Sequence, residues 1–167
     1  MMSHGYEVQM TPLQILTFYN AVANDGKMMR PRFVTEILRN GSVVKSFGTD
    51  VIINSIASRS TIRKAKEMME GVVEHGTATN LRNANYKIAG KTGTAQIARD
   101  KRGYRQGPMS YQASFVGYFP AENPLYSCIV VVNAPSNGVY YGNIVAGSVF
   151  KEISDKVYAT TFYRDYR

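Results

Sequence analysis

Gly90-Lys91-Thr92-Gly93-Thr94-Ala95-Gln96 is the stretch on which the reading of this chain turns. A cation is followed by hydroxyl, glycine and hydroxyl, inside a segment that reads as a strand from Tyr86 to Ile97. An extended backbone offers unpaired N–H and C=O groups to which another extended peptide can add as a strand. Gly93 has no side chain, so such a peptide can approach closely. Lys91 supplies positive charge for a carboxylate and can shuttle a proton, and the Thr92 and Thr94 hydroxyls can bind a carboxylate. A backbone N–H near Thr94 can stabilise the oxyanion of an acyl transfer, worth ~3 kcal/mol or more of barrier. In an ideal strand Lys91 and Thr94 point to opposite faces, so alternation alone does not bring both to one place.

Two phosphate readings of these letters fail. A phosphate-cradling glycine loop ending in Gly-Lys-Thr needs a further glycine where this chain has Asn85, and a helix rather than a strand after the lysine. A phosphorylated-aspartate site needs Asp before the lysine, where Gly90 stands. Taken alone, the four letters Lys91 to Thr94 fit an ordinary strand with chance Lys and Thr as well as they fit a site.

The rest of the chain reads as one α+β domain. Its 167 residues and 44% apolar content suffice for a sizeable core and exclude a disordered tail. Thr11, Pro12 and Gln14 open a helix with a capping box, Leu13, Leu16, Tyr19 and Ala23 follow its period, and Gly26 can close it. Asn40-Gly41 between Phe33–Leu38 and Ser42–Phe47 predicts a hairpin with a mirror-type turn. A second helix is predicted over Ser60–His75, with Ile62, Ala65, Met69, Val72 and Val73 as its apolar stripe and Gly76 at its end. Its cations Arg63, Lys64 and Lys66 lie near the start, where the helix dipole does not favour them. Two further strands, Gln112–Phe119 and Tyr126–Asn133, flank a tight turn at Pro120 to Pro124. A last helix over Asn143–Tyr158 would bury Ala146, Phe150, Ile153 and Val157. Short connections predict an antiparallel sheet flanked by helices.

Charge and cysteine content narrow the partners. The net charge is +8, and Arg59 to Arg105 holds eleven Lys/Arg against four Asp/Glu. That favours an anionic partner or is a solvated basic face. Arg99 to Arg105, with Tyr104, would be the place for a nucleic-acid-binding module to grip a strand, a reading that steep salt dependence would mark. The single cysteine, Cys128, sits in an apolar run and reads as a buried thiol, not a nucleophile. That run, Cys128 to Val132, is far short of the ~20 residues of a spanning helix. No signal peptide is legible at Met1 to Gly5.

The flanking segments carry a resemblance. Gly5 to Gln14, Ala21 to Lys27, Arg30-Pro31-Arg32, Gly76-Thr77-Ala78 and Ala113 to Pro120 resemble, in order, segments of class B penicillin-binding proteins. Lys-Thr-Gly is one of the short motifs shared by those proteins and serine β-lactamases. The likeness runs over nearly the whole chain and is greatest to the division-associated branch. It implies a penicillin-binding protein/serine β-lactamase-like fold, of which residues 1–167 would be the C-terminal portion of the transpeptidase domain. The parent would be a serine-type D,D-transpeptidase cross-linking peptidoglycan stem peptides and acylated by β-lactams, with no metal or organic cofactor. Lys91 and Thr94 would be catalytic, and Lys91, Thr92, Gly93, Thr94 and Gln96 substrate-binding. The parent would work on the periplasmic face of the inner membrane, with the cell-wall synthesis machinery, anchored through a segment outside this chain.

The family's nucleophile is a Ser with Lys three residues on, at a helix start, and precedes the segment at Gly5, as does its Ser-x-Asn element. The two formal matches here are misplaced: Ser42 to Lys45 on a hairpin strand, and Ser148 to Lys151 on the polar face of the last helix. No Ser-x-Asn triplet occurs. The nucleophilic Ser is therefore expected to be absent, and the chain alone inactive. A nucleophile-free peptide-binding domain fits the same letters. In the family sheet the Lys91 strand is an outer edge, while 126–133 pairs with an upstream strand. Without that strand an apolar edge would invite a dimer.

Overall fold

Thr11 caps the first helix, α1 (Pro12–Ala23), as its sequence predicts. Its Oγ1 accepts the Gln14 N–H at 3.3 Å, and Gln14 Oε1 accepts the Thr11 N–H at 2.8 Å. The computed structural model describes residues 8–97, 110–136 and 138–164. After α1 come β1 (Met28–Met29), β2 (Glu36–Arg39), β3 (Ser42–Ser46) and β4 (Val51–Ile53). Next are α2 (Arg59–Glu74), a 3-10 turn (Thr79–Leu81), β5 (Ala89–Ile97), β6 (Ser110–Phe119), β7 (Tyr126–Asn133) and α3 (Gly142–Arg164).

The main sheet is antiparallel, in the order β5-β6-β7. Phe115 stands opposite Thr92 on one side and Val130 on the other, which fixes the faces. One face packs Phe115 and Phe119 against Phe150 and Ala146 of α3, together with Val73, Leu81, Tyr86 and Ile88. The other brings Ala89 and Tyr118 against Val22 and Ala23 of α1. Helix α2 contributes to both clusters, through Val73 to the first and Met69 to the second. Burying side chains as large as Phe115, Phe119 and Phe150 stabilises the fold by roughly 1.5–3 kcal/mol each.

The hairpin forms around the expected turn, although its first strand is Glu36–Arg39 and not Phe33–Leu38: β2 and β3 pair antiparallel, with positive φ at both Asn40 (53°) and Gly41 (79°). That is the mirror-type turn its Asn-Gly predicts. The small β1–β4 pairing was not foreseen, because two- and three-residue strands carry no readable period.

Four other expectations need correction. The strand predicted from Tyr86 begins at Ala89, because Tyr86 and Ile88 turn into the core before the ladder starts. The next begins at Ser110, two residues early, pairing with Ile97. Helix α3 runs past Tyr158 to Arg164. On it Ile153 is exposed and Ser154 is wholly buried, because the Ser154 hydroxyl has partners there: the Lys151 carbonyl at 2.9 Å and the Tyr86 hydroxyl at 2.8 Å. Two of the cations at the start of α2 have partners: Lys66 Nζ lies 2.5 Å from Asp25 just past α1, and Arg63 lies 3.8 Å from Glu67.

Candidate active-site wall

Lys91, Thr92, Gly93 and Thr94 occupy the middle of β5, an outer strand of the sheet. Their cross-strand partners are Val116, Phe115, Ser114 and Ala113, with Gln96 further along opposite Tyr111. Among the described residues no strand pairs with the other side of β5.

Alternation sends Thr92 and Thr94 to one face and Lys91 to the other, as the sequence requires. The lysine stem shortens that separation. Lys91 Nζ donates to the carbonyl oxygen of Thr92 at 2.7 Å, which returns the ammonium to the strand backbone. Thr92 Oγ1 lies 3.1 Å from Thr77 Oγ1, just past the end of α2. Thr94 Oγ1 accepts the Gly142 N–H, at the first residue of α3, at 3.2 Å. Lys91 and Thr94 are exposed, Thr92, Gly93 and Gln96 half-buried.

Lys91 also lines an open groove with Met68 and Val72 of α2 and with His75 and Thr77 just past its end. The arrangement offers a cation, two anchored hydroxyls and an unpaired backbone edge on one outer strand, a surface suited to an extended peptide ending in a carboxylate.

Sequence reasoning missed Thr77 and Gly142 as neighbours of the site. Gly76-Thr77-Ala78 was legible as a likeness, but nothing local says that the Thr77 hydroxyl meets Thr92 across 15 positions, or that Gly142 reaches Thr94 across 48.

The two formal Ser-x-x-Lys matches form no nucleophilic pair. Ser42 and Lys45 lie on the exposed hairpin. Ser148 Oγ donates to the Ile144 carbonyl at 2.7 Å, and Lys151 Nζ is engaged by Asp155 at 2.7 Å. Cys128 is half-buried, and burial pushes its thiol above the usual value, against a nucleophilic role. The basic segment Arg99 to Arg105, with Tyr104, lies outside the described residues. Among the described residues no cluster of His, Cys, Asp and Glu could hold a metal, and no helix is long and apolar enough to cross a membrane.

The sequence and the fold have counterparts among known proteins. The family described as "Penicillin binding protein transpeptidase domain" matches residues 1–155, and the chain belongs to that family. The peptidoglycan D,D-transpeptidase FtsI of Buchnera aphidicola is 31% identical over 93% of this chain and 26% of its own length. The probable peptidoglycan D,D-transpeptidase PenA of Neisseria flavescens is 32% identical over 91% of this chain and 35% of its own. The apo transpeptidase domain of Burkholderia pseudomallei penicillin-binding protein 3 superposes with a TM-score of 0.71 at 31% identity, covering 95% of this chain and 45% of that one. PBPA from Mycobacterium tuberculosis, at 22% identity and a TM-score of 0.73, shares the fold. The chain thus spans about a quarter to a third of the length of these curated relatives.

Proposed function

We propose that this chain supplies the substrate-holding wall of a serine D,D-transpeptidase that cross-links peptidoglycan stem peptides. The observation that carries the reading is Lys91-Thr92-Gly93-Thr94 on an exposed strand edge, with the ammonium 2.7 Å from the Thr92 carbonyl and both hydroxyls anchored. A stem peptide would add along β5, with Gly93 admitting its backbone and Gln96 further along the same strand. Its terminal carboxylate would lie against Lys91, Thr92 and Thr94, and the Thr94 N–H would face the developing oxyanion.

The nucleophile would be a serine of the upstream part of the same parent protein. It attacks the penultimate D-Ala carbonyl, the peptide C–N bond breaks, and the terminal D-Ala leaves as a protonated amine. The acyl group then passes to an amine on a neighbouring strand, freeing the serine. β-Lactams would acylate the same serine. The parent would act on the extracytoplasmic side of the membrane, anchored outside this chain, alongside the cell-wall synthesis machinery. The likeness to FtsI fits a division role. No cofactor enters this chemistry.

Incubation of the chain with a fluorescent penicillin tests the division of labour. No stable covalent label is expected, and label that survives denaturation would overturn the assignment of the nucleophile to another segment. Reversible binding of a D-Ala-D-Ala peptide, followed by amide resonances, is expected to map to residues 91–96 and to weaken at least tenfold in Lys91→Ala, as loss of a charge-assisted hydrogen bond implies.

A further inference from the structure

We propose that Gly142 is a positioning residue of this site, one that aims the Thr94 hydroxyl at the ligand carboxylate. The inference rests on the reading of Lys91 to Thr94 as a carboxylate-binding wall.

A threonine hydroxyl has one proton and two lone pairs, and its rotor is otherwise free. In this chain the Gly142 N–H donates to Thr94 Oγ1 at 3.2 Å. That bond takes up acceptor capacity on Thr94 and leaves its proton to be given away. Among the described residues Thr94 Oγ1 has no acceptor for that proton. Thr94 is an exposed residue three positions from Lys91 on the same edge strand, so a ligand carboxylate bound along that edge would offer its proton an acceptor. A hydroxyl that already accepts an N–H is a better donor, because hydrogen bonds in a chain polarise one another.

Only glycine allows the approach. A Cβ at Gly142 would lie 2.5 Å from the Gly93 carbonyl oxygen, 2.6 Å from that of Ser114 and 3.2 Å from the Gly93 nitrogen. All three are backbone atoms of the sheet and cannot swing aside. Any side chain at position 142 must therefore lift the start of α3 away from β5.

The start of α3 is also pinned from two other directions. Asn80 Nδ2 donates to the Asn143 carbonyl at 2.9 Å, and the Asn143 amide returns to Asn80 Oδ1 at 3.4 Å. The Tyr140 ring, just before the helix, stacks on Tyr111 of β6 with centroids 4.0 Å apart and planes 9° from parallel. The first turn of α3 holds no acidic residue. The positive end of the helix dipole thus meets Thr94 with no carboxylate in that turn to offset it.

The test uses the whole chain and an acetylated tripeptide ending in D-Ala-D-Ala, as the free carboxylate and as the C-terminal carboxamide, titrated by amide NMR. Wild type is expected to prefer the carboxylate, and the Gly142 amide proton to shift with that peptide only. Gly142→Ala is expected to lower the carboxylate-over-carboxamide preference about tenfold. Thr94→Val should remove both the preference and the Gly142 shift, and Thr94→Ser should keep both. If Gly142→Ala does not fold, the wild-type Gly142 shift and the Thr94 pair decide. A Gly142 amide unmoved while Lys91 and Thr94 respond, or a preference unchanged in folded Gly142→Ala, overturns the positioning role alone. Binding of neither peptide by wild type overturns the carboxylate-wall reading and this role with it.

Discussion

Gly90 and Gly93 stand three residues apart on β5 and would answer differently to the same added methyl. A Cβ at Gly90 would lie 2.5 Å from the Phe115 ring and 2.6 Å from the Val116 carbonyl oxygen, a wholly buried ring and fixed backbone. At Gly93 the nearest atom is the hydroxyl oxygen of Ser114, which a rotamer change can remove. Gly90→Ala is therefore expected to destabilise the chain by roughly 1–3 kcal/mol, the usual cost of overpacking, and Gly93→Ala by clearly less. Thermal melts of the two variants side by side check the order, and equal losses would contradict it. At Gly93 the methyl instead narrows the approach to the strand, so its larger effect should appear in peptide binding. At this scale the sequence was informative wherever chemistry and spacing are local. Lys91, Thr92 and Thr94 could be named from residue type, and the opposed faces of Lys91 and Thr94 from the strand period. Gly142 and Thr77 could not, because their roles exist only through contacts made by the finished fold.

At the scale of elements, α3 is tied to the segment leading into β5 through Asp155. The Tyr86 hydroxyl donates to Asp155 Oδ1 at 2.6 Å, Asn83 Nδ2 donates to the same oxygen at 2.5 Å, and Lys151 Nζ to the other at 2.7 Å. Tyr158 stacks on Tyr86, with ring centroids 4.3 Å apart. Burial alone would raise the Asp155 carboxyl, but the hydrogen bonds from Lys151, Tyr86 and Asn83 outweigh it and hold it below the ordinary carboxylate range. Burial first, and then the Asp155 hydrogen bond, push the Tyr86 phenol well above its ordinary value. The signs give two limits. A depressed carboxyl contributes stability above about pH 4, lost as the pH falls through its folded value. A raised phenol contributes below about pH 10, with the contribution lost as the pH rises beyond that. Asp155→Asn is expected to be less stable at neutral pH but to lose less on acidification, measured by denaturant melts between pH 3 and 7. Tyr86→Phe should cost about 1–2 kcal/mol at neutral pH, since it strips a donor from a buried network. An acid limb identical in Asp155→Asn and wild type would exclude this carboxyl as the titrating group. Period-based reading of α3 found Ala146 and Phe150 and then erred at Ile153, because a hydrophobicity pattern cannot anticipate that Ser154 is buried to meet Tyr86.

For the whole molecule, the sheet order places the candidate wall on β5 and leaves β7 at the opposite edge, with no strand beyond it among the described residues. The three principal strands, the hairpin and the three helices were legible because each carries a long period or a turn signature. The β1–β4 pairing and the convergence of α1, α2 and α3 on one sheet were not, since both depend on long-range packing. Along β7 the residues from Ser127 to Val132 are only half-buried, and Cys128 and Val130 pack on the α3 side. A bare, half-buried edge rich in Val and Ile invites a further strand. The expected outcome is reversible self-association through residues 126–133, seen as a rise in sedimentation coefficient with concentration. Exposed apolar side chains on the β2–β3 hairpin, among them Leu38, Val43 and Val44, offer a competing route. Val131→Lys separates the two. A lysine on an edge strand disfavours pairing, so it should return the chain to monomer if β7 is the interface. Association that survives Val131→Lys, in a variant whose melt shows it folded, would place the contact on the hairpin; a monomer at every concentration would overturn the expectation that the bare β7 edge recruits a partner strand.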